Sequence, residues 1–141
     1  MKLLAYEVDK RSFLGVLNED ETWVYPVSAA GMEYRSMKDL IREAGPSEME
    51  MLDYISKKMP GDVTGAASVE EIKVVSPIAE PDQDIICLGI NYMDHAKESA
   101  RFQKEEFSKP EKAIYFSKRV NRTNDPDGII PAHKNLTNQL D

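Results

Sequence analysis

The sequence has very little cysteine and no long apolar run. Its 141 residues include one cysteine, Cys87, so an intramolecular disulfide is impossible. A single cysteine suits a reducing compartment, and we expect a cytoplasmic protein. No stretch approaches the roughly 20 apolar residues that a membrane-spanning helix needs. Lys2 comes too early for the apolar core of a signal peptide, so the sequence predicts neither export nor insertion into a membrane.

Basic residues are also scarce relative to acidic ones. The formal net charge is −7, from 18 Lys and Arg against 25 Asp and Glu. Binding to nucleic acid or to an anionic membrane surface draws on an excess of Lys and Arg. We therefore expect neither of these partners. A small acidic substrate remains compatible with the charge, because a local basic pocket can form inside an acidic protein.

The first 70 residues predict a small domain of strands and helices. Short alternating runs, split by Asn and Asp clusters between residues 2 and 27, are typical of a β meander. Ser36 is expected to cap a first helix that ends at Gly45-Pro46. Ser47 and Glu50 are expected to form the capping box of a second. The residues predicted to face the core from these helices are Met37, Leu40, Ile41, Met51, Leu52 and Ile55.

The second half of the chain predicts strands separated by polar stretches. Residues 61–70 are rich in Gly, Ala, Ser and Thr, which favours a linker. We place a domain boundary between about residues 61 and 83, giving domains 1–70 and 71–141. Short strands are expected at 72–75 and 129–131. The apolar runs at 85–90 and 113–116 predict buried strands. The predicted fold class is α+β.

One strand-to-helix element carries the candidate chemistry. The run from Ile85 leads through Gly89 into a predicted helix, on which His95 and Glu98 lie three residues apart and so on one face. A carboxylate beside an imidazole raises its basicity and orients it, which suits a general acid–base pair. On spacing alone, a solvated surface contact is the more common explanation of such a pair.

The sequence IICLGINYMDHAKE resembles the signature of the fumarylacetoacetate hydrolase family, in which I-x-C-x-G-x-N-Y leads to x-x-H-x-x-E. The residues in register with that signature are Cys87, Gly89, Asn91, Tyr92, His95 and Glu98. Lys109-Pro110 followed by AIYFSK is similar to the family's P-x-x-F-x-K segment. The resemblance covers about residues 81–118. It implies that a small N-terminal meander with helices precedes the opening strands of a mostly-β catalytic domain.

The resemblance implies a metal-dependent enzyme and a set of residue roles. Members of the family hydrolyse acylpyruvates and fumarylacetoacetate, decarboxylate oxaloacetate, or isomerise hydroxymuconate-type diacids. By this resemblance His95 is the general base and Glu98 orients and charges it. Lys118 matches a family lysine near the substrate, with a plain surface lysine as the alternative. A Mg²⁺ or Mn²⁺ ion is implied for the full-length protein, together with a small acidic dicarbonyl substrate and a homodimer.

The family's metal ligands have no counterpart in this sequence. They are a Glu-x-Glu pair and a later Asp, and hard oxygen ligands are what Mg²⁺ requires. Glu48-Met49-Glu50 has the spacing but lies on the predicted second helix, too early in the chain. We therefore expect a truncated family member that is inactive alone and holds no metal. The alternatives are a non-catalytic binding or interaction module, and a domain in which His95 and Glu98 form a surface pair.

Overall fold

The structure, a computed structural model, describes residues 1–89, 112–136 and 138. The chain separates into two compact units. One comprises residues 1–79 together with the segment that begins at Thr123, and the other comprises residues 80–122. The predicted boundary after residue 70 stays a prediction. The α+β class is confirmed, because the described residues combine antiparallel sheets with two α-helices.

The predicted β meander is confirmed. It consists of β1 (Leu3–Val8), β2 (Arg11–Leu17) and β3 (Trp23–Pro26), paired antiparallel in that order. The turn between β1 and β2 is the tight two-residue kind, since Val8 pairs with Arg11. Asp9 and Lys10 both adopt positive φ, at 49° and 63°. Two successive left-handed residues match the right-handed twist of the flanking strands, which is why short hairpins favour them.

Two further strands complete a five-stranded sheet. The short β4 (Ala67–Ser68) pairs with β3, and β5 (Lys73–Val75) pairs with β1, so the order is β4-β3-β2-β1-β5. The strand predicted near residues 72–75 is therefore confirmed. Residues 61–70 are not simply a linker, because Ala67 pairs with Val24 inside the sheet. Their small side chains gave no apolar periodicity from which a strand could be predicted.

Helix α1 (Met37–Glu43) begins as the sequence predicts. The Ser36 hydroxyl oxygen accepts a hydrogen bond from the backbone N–H of Asp39 at 3.1 Å, so Ser36 is the N-cap. Such a cap satisfies one of the backbone donors that the first helical turn leaves without a partner. Met37 and Leu40 are buried, but Ile41 is 64% exposed, so only part of the predicted apolar face packs inward.

Helix α2 (Pro46–Ser56) starts earlier than predicted. Pro46 is its first residue instead of the stop signal of α1, and proline suits that position because its missing N–H would have no helical partner. The capping box is closed by Glu48, whose carboxylate accepts the backbone N–H of Gly45, and not by Ser47 with Glu50. Of the predicted inner face Leu52 and Ile55 are buried, whereas Met51 is exposed.

The helices cover one face of the sheet and form the main core with it. Residues from the sheet, from both helices and from the turn after α2 form this apolar cluster. Its buried members are Val16, Tyr25, Val27, Met37, Leu40, Leu52, Ile55 and Val63. Tyr25 is fully buried, and its hydroxyl donates to the backbone carbonyl of Lys58 at 2.8 Å. That bond lets a polar group sit inside the core without an unsatisfied donor.

The opposite face of the sheet has a smaller core of its own. Leu4, Tyr6 and Val24 are its buried members. Gly15 makes it possible, because a Cβ there would lie 2.4 Å from the Val24 Cγ2 atom and 2.8 Å from the Tyr6 Cε1 atom. The two side chains approach each other over the bare glycine backbone. This approach lets the sheet curl tightly and bury residues on both faces.

The second unit contains two strands with exposed side chains. Strands β6 (Ile85–Gly89) and β7 (Ile114–Lys118) pair antiparallel, with Cys87 opposite Phe116. The sequence placed both strands correctly but predicted them to be buried, and this is wrong for the described residues. Ile86 is 71% exposed and Tyr115 68% exposed. A two-stranded ribbon offers its side chains no second layer, so apolarity alone cannot bury them.

Residues 129–131 form no strand, contrary to the prediction. Ile129 and Ile130 are 89% and 69% exposed, so this short apolar run is neither paired nor packed inward. In the part of the chain that the structure describes, no helix is long and apolar enough to cross a membrane.

Candidate functional site

The β6–β7 ribbon carries the described part of the family-like motif. In its register Ile85 lies opposite Lys118, Cys87 opposite Phe116, and Gly89 opposite Ile114. Because alternate residues of a strand point to the same side, these three pairs share one face of the ribbon. The motif residues Cys87 and Gly89 and the lysine after the second apolar run are thus brought together by strand pairing, although 31 positions separate Cys87 from Lys118 in the printed sequence.

Lys118 ends β7 with its side chain exposed. Its ammonium nitrogen lies 6.0 Å from the centre of the Phe116 ring, at the outer limit of a cation–π contact. No carboxylate partner of Lys118 is recorded among the described residues. An exposed cation on this face could bind an anionic group. The structure thus places Lys118 on the same face as Cys87 and Gly89, and its role toward a substrate stays a prediction.

His95 and Glu98 lie outside the described residues. Their proposed adjacency on a helix and their acid–base roles therefore stay predictions. The described residue closest in sequence is Gly89, which ends β6. A Cβ at Gly89 would lie 3.7 Å from the Phe116 ring, so the ribbon packs closely across this glycine.

Cys87 is a free, half-buried cysteine in the middle of β6. It pairs with Phe116 in the ladder, which places it against an aromatic neighbour. A small, weakly polar side chain suits such a position on packing grounds. This fits the sequence prediction that Cys87 lies in a strand.

The described residues do not fit a metal site. Within residues 1–89, 112–136 and 138, no group of three or more His, Cys, Asp or Glu side chains could hold an ion. Glu48, which has Glu-x-Glu spacing with Glu50, accepts hydrogen bonds from the Gly45 backbone N–H and the Tyr34 hydroxyl. These bonds lower the pKa of Glu48, with the Gly45 N–H as the larger cause. Glu48 is therefore used as a helix cap.

Arg122 is ion-paired to Glu80 at 3.6 Å, and both side chains are largely exposed. Exposed pairs of this kind contribute little to stability. The pairing connects the segment before β6 to the segment after β7. Arg122 thus joins the two ends of the second unit.

The sequence also missed a polar network after β7. Asp125 accepts the backbone N–H of Ser76 at 2.9 Å and lies 3.3 Å from the Lys73 ammonium group. The pKa of Lys73 is raised, first by its hydrogen bond to Asp125 and then by the charge of Glu7. The Asp125-Pro126 pair signals a turn. The partners of Asp125 lie about 50 positions earlier, so no local sequence pattern could have predicted them.

The sequence has relatives over its whole length. It is 30% identical over 151 aligned positions to the oxaloacetate tautomerase YisK of Bacillus subtilis, an alignment that covers all of this chain and 48% of the tautomerase. Uncharacterized proteins of Staphylococcus epidermidis and Staphylococcus aureus are 27% and 26% identical over 152 positions, again with all of this chain and 48% of the relative covered. No protein-family model matches the chain.

The chain spans about half the length of the curated relatives it matches. The similarity to a named enzyme is consistent with the family resemblance drawn from the motif around His95. It supports an origin among enzymes of that kind. The activity and substrate of the whole protein are proposals.

Proposed function

We propose that this chain is part of an enzyme that acts on small oxo acids with a β-dicarbonyl arrangement. Oxaloacetate tautomerisation is the first reaction to test. The observation that carries the proposal is the motif with His95 and Glu98, found in a chain that is 30% identical over its full length to an oxaloacetate tautomerase. Hydrolysis of acylpyruvates is the second reaction, since the motif resembles that of hydrolases as well.

Tautomerisation needs a group that takes a proton and a group that returns one. When the enol form becomes the ketone, the C2 hydroxyl loses its proton, the C2–O bond becomes a carbonyl, and C3 gains a proton. In our proposal the imidazole of His95 accepts and returns the proton, and Glu98 orients the ring and stabilises its charged form. Lys118 would offset negative charge that develops on the substrate oxygens.

A divalent ion is part of the proposal for the whole protein only. Mg²⁺ or Mn²⁺ would polarise the oxygens of a bound oxo acid. The described residues of this chain offer no cluster that could hold such an ion. The proton transfer is assigned to His95, with Glu98 orienting its ring.

The test is an assay of the product of the complete reading frame, supplied with Mg²⁺ or Mn²⁺. The loss of the enol's ultraviolet absorbance reports tautomerisation of oxaloacetate, and a parallel assay follows acylpyruvate cleavage. We expect turnover in at least one assay. His95→Gln should lower kcat by roughly 10²- to 10⁴-fold, the usual contribution of a general acid or base. Glu98→Gln should also lower kcat, because it removes the carboxylate that orients the ring and stabilises its charged form.

Matched control variants distinguish the loss of a catalytic group from a loss of activity that any substitution of the same residue type would cause. His133→Asn changes the other histidine, an exposed residue with a positive φ of 44° that asparagine tolerates. Glu50→Gln changes an exposed glutamate on α2. Both should keep full turnover. A folded, metal-supplied protein without activity on either substrate would contradict the proposal and favour a binding or interaction module. Full activity of His95→Gln would show that His95 is not the general base.

We further propose a cytoplasmic homodimer without nucleic-acid or membrane partners. The net charge of −7 and the single cysteine support the compartment and the absence of these partners, and the homodimer rests on the family resemblance alone. Light scattering of the purified product of the complete reading frame measures the oligomeric state directly, and a monomer at micromolar concentration would contradict the dimer.

A further inference from the structure

Hydrogen bonds join the two ends of residues 80–122. The backbone N–H of Thr123 donates to the carbonyl of Ala79 at 2.8 Å, and its hydroxyl donates to the carbonyl of Ile78, also at 2.8 Å. The Thr123 and Ser76 hydroxyl oxygens lie 2.5 Å apart. Since the single hydroxyl proton of Thr123 goes to Ile78, the Ser76 hydroxyl is the donor to Thr123. One threonine therefore makes hydrogen bonds to three residues that lie 44 to 47 positions earlier.

Asp125 adds a second set of bonds to the same stretch. One carboxylate oxygen accepts the backbone N–H of Ser76 at 2.9 Å, just beyond the end of β5. The other lies 3.3 Å from the Lys73 ammonium group, which is also 3.6 Å from a carboxylate oxygen of Glu7 on β1. Asp125 thus connects the segment after β7 to β5, and Lys73 in turn links β5 to Glu7 on β1.

The loop that carries Asp125 has a defined shape. The Gly128 backbone N–H donates to the Asp125 carbonyl at 3.0 Å, and the Asn124 side-chain amide donates to the Ile129 carbonyl at 3.2 Å. A Cβ at Gly128 would lie 2.4 Å from the side-chain oxygen of Asn124, so a larger residue at position 128 would displace the Asn124 amide. The turn holds the Asp125 carboxylate toward Ser76 instead of leaving it free in solvent.

We infer that Thr123 and Asp125 form a clasp that closes the chain around residues 80–122 and thereby maintains the pairing of β6 with β7. All the bonds named lie within the first unit, at the two points where the chain leaves it and returns. Bringing the ends of a long segment together has an entropy cost that grows with the logarithm of its length. The clasp already holds Ala79 beside Thr123. It therefore removes part of the entropy cost of pairing β6, which follows Ala79, with β7, which precedes Thr123.

The clasp also gives Thr123 and Asp125 a role as positioning residues. Lys118 lies at the end of β7, five positions before Thr123 in the printed sequence, and β6 leads toward His95. The register of β6 with β7 fixes the position of Lys118 and the point at which the chain leaves β6. This second role rests on the proposed function, whereas the effect on strand pairing does not.

Amide hydrogen exchange followed by NMR on the chain itself tests the clasp. Thr123→Val removes the two hydroxyl bonds but keeps the backbone N–H and the branched shape. We expect exchange of the hydrogen-bonded amides of β6 and β7 to become about tenfold faster, which corresponds to a loss of about 1.4 kcal/mol in the stability of the strand pairing. The amides between β1 and β2 should stay within about twofold of wild type.

Two further variants make the result interpretable. Thr123→Ser keeps the hydroxyl and should restore slow exchange in β6 and β7. Asp127→Asn removes a charge two positions from Asp125 at a residue with a φ of 60°, which asparagine accepts, and should change nothing. Unchanged β6 and β7 exchange in Thr123→Val would overturn the inference. Equal acceleration in β1 and β2 would also overturn it, because Thr123 would then support the sheet and not the closure.

The positioning role is tested in the enzyme assays. In the product of the complete reading frame, Thr123→Val should lower kcat about tenfold and leave KM within about twofold, since a small misplacement of reacting groups slows chemistry more than binding. Thr123→Ser should recover kcat. If the wild type lacks turnover, the proposed function fails while the exchange result still decides the clasp. If the wild type is active and Thr123→Val matches it, the positioning role is wrong.

Discussion

Replacing Gly15 with alanine would place a methyl group where the curled sheet has no room for one. The added Cβ would lie 2.4 Å from the Val24 Cγ2 atom, 2.8 Å from the Tyr6 Cε1 atom and 3.1 Å from the Tyr25 carbonyl oxygen. Both distances to side-chain carbons are much shorter than the normal separation of about 3.5–4.0 Å between carbon atoms. At least one of the two side chains must therefore move.

Neither side chain has open space into which it can move freely. Val24 is 0% exposed and Tyr6 is 2% exposed, so each is already enclosed by its neighbours. Adding a methyl group to a packed site costs about 1–3 kcal/mol. We expect Gly15→Ala to lower the free energy of unfolding by about 2 kcal/mol. That loss corresponds to a melting temperature lower by roughly 8 °C for a chain of this size.

Urea denaturation followed by circular dichroism measures this effect. Gly61→Ala is the matched control, because a Cβ at Gly61 meets nothing within 4 Å and its φ is ordinary. Its stability should equal or slightly exceed that of the wild type, since alanine restricts the unfolded chain more than glycine does.

A double variant identifies the contact responsible. Val24→Ala alone should destabilise the protein by opening a cavity, but in the Gly15→Ala background it also relieves the closest contact. The two changes should therefore cost less together than the sum of their separate effects. Wild-type stability of Gly15→Ala, or strict additivity of the pair, would show that the sheet does not close over Gly15 as described.

Two further changes test the helix caps. Ser36→Ala removes the oxygen that accepts the Asp39 N–H at 3.1 Å and should cost about 1 kcal/mol in urea denaturation, whereas Ser28→Ala, at an exposed serine outside both helices, should not. The pKa of Glu48 is lowered by the Gly45 N–H and the Tyr34 hydroxyl, so this carboxylate stabilises the fold above its unfolded pKa of about 4.3, and the stabilisation is lost as pH falls through the lower folded value. Glu48→Gln should weaken that acid dependence, and an identical pH–stability profile for wild type and variant would refute the assignment.

The alternation of apolar residues was enough to predict much of the first unit. It located the three strands of the meander and both helices, and the Ser36 cap followed from local chemistry alone. These features depend on residues within one turn or one strand of each other. The errors at Pro46 and Ile41 also have a local cause. Proline can end one helix or begin the next, and an apolar residue at the margin of a helix face can be left exposed.

The sequence by itself thus determined the three meander strands, both helices and a motif with His95 and Glu98 that predicts acid–base chemistry. Only the tertiary structure decided that Ala67 completes the sheet, that Tyr6 and Val24 meet over Gly15, and that β6 and β7 are exposed. It also decided that Thr123 and Asp125 bind residues 45 and 49 positions away. The physical reason is that packing and hydrogen bonding join residues that are distant along the chain, and no periodicity or local propensity records which distant residues will meet.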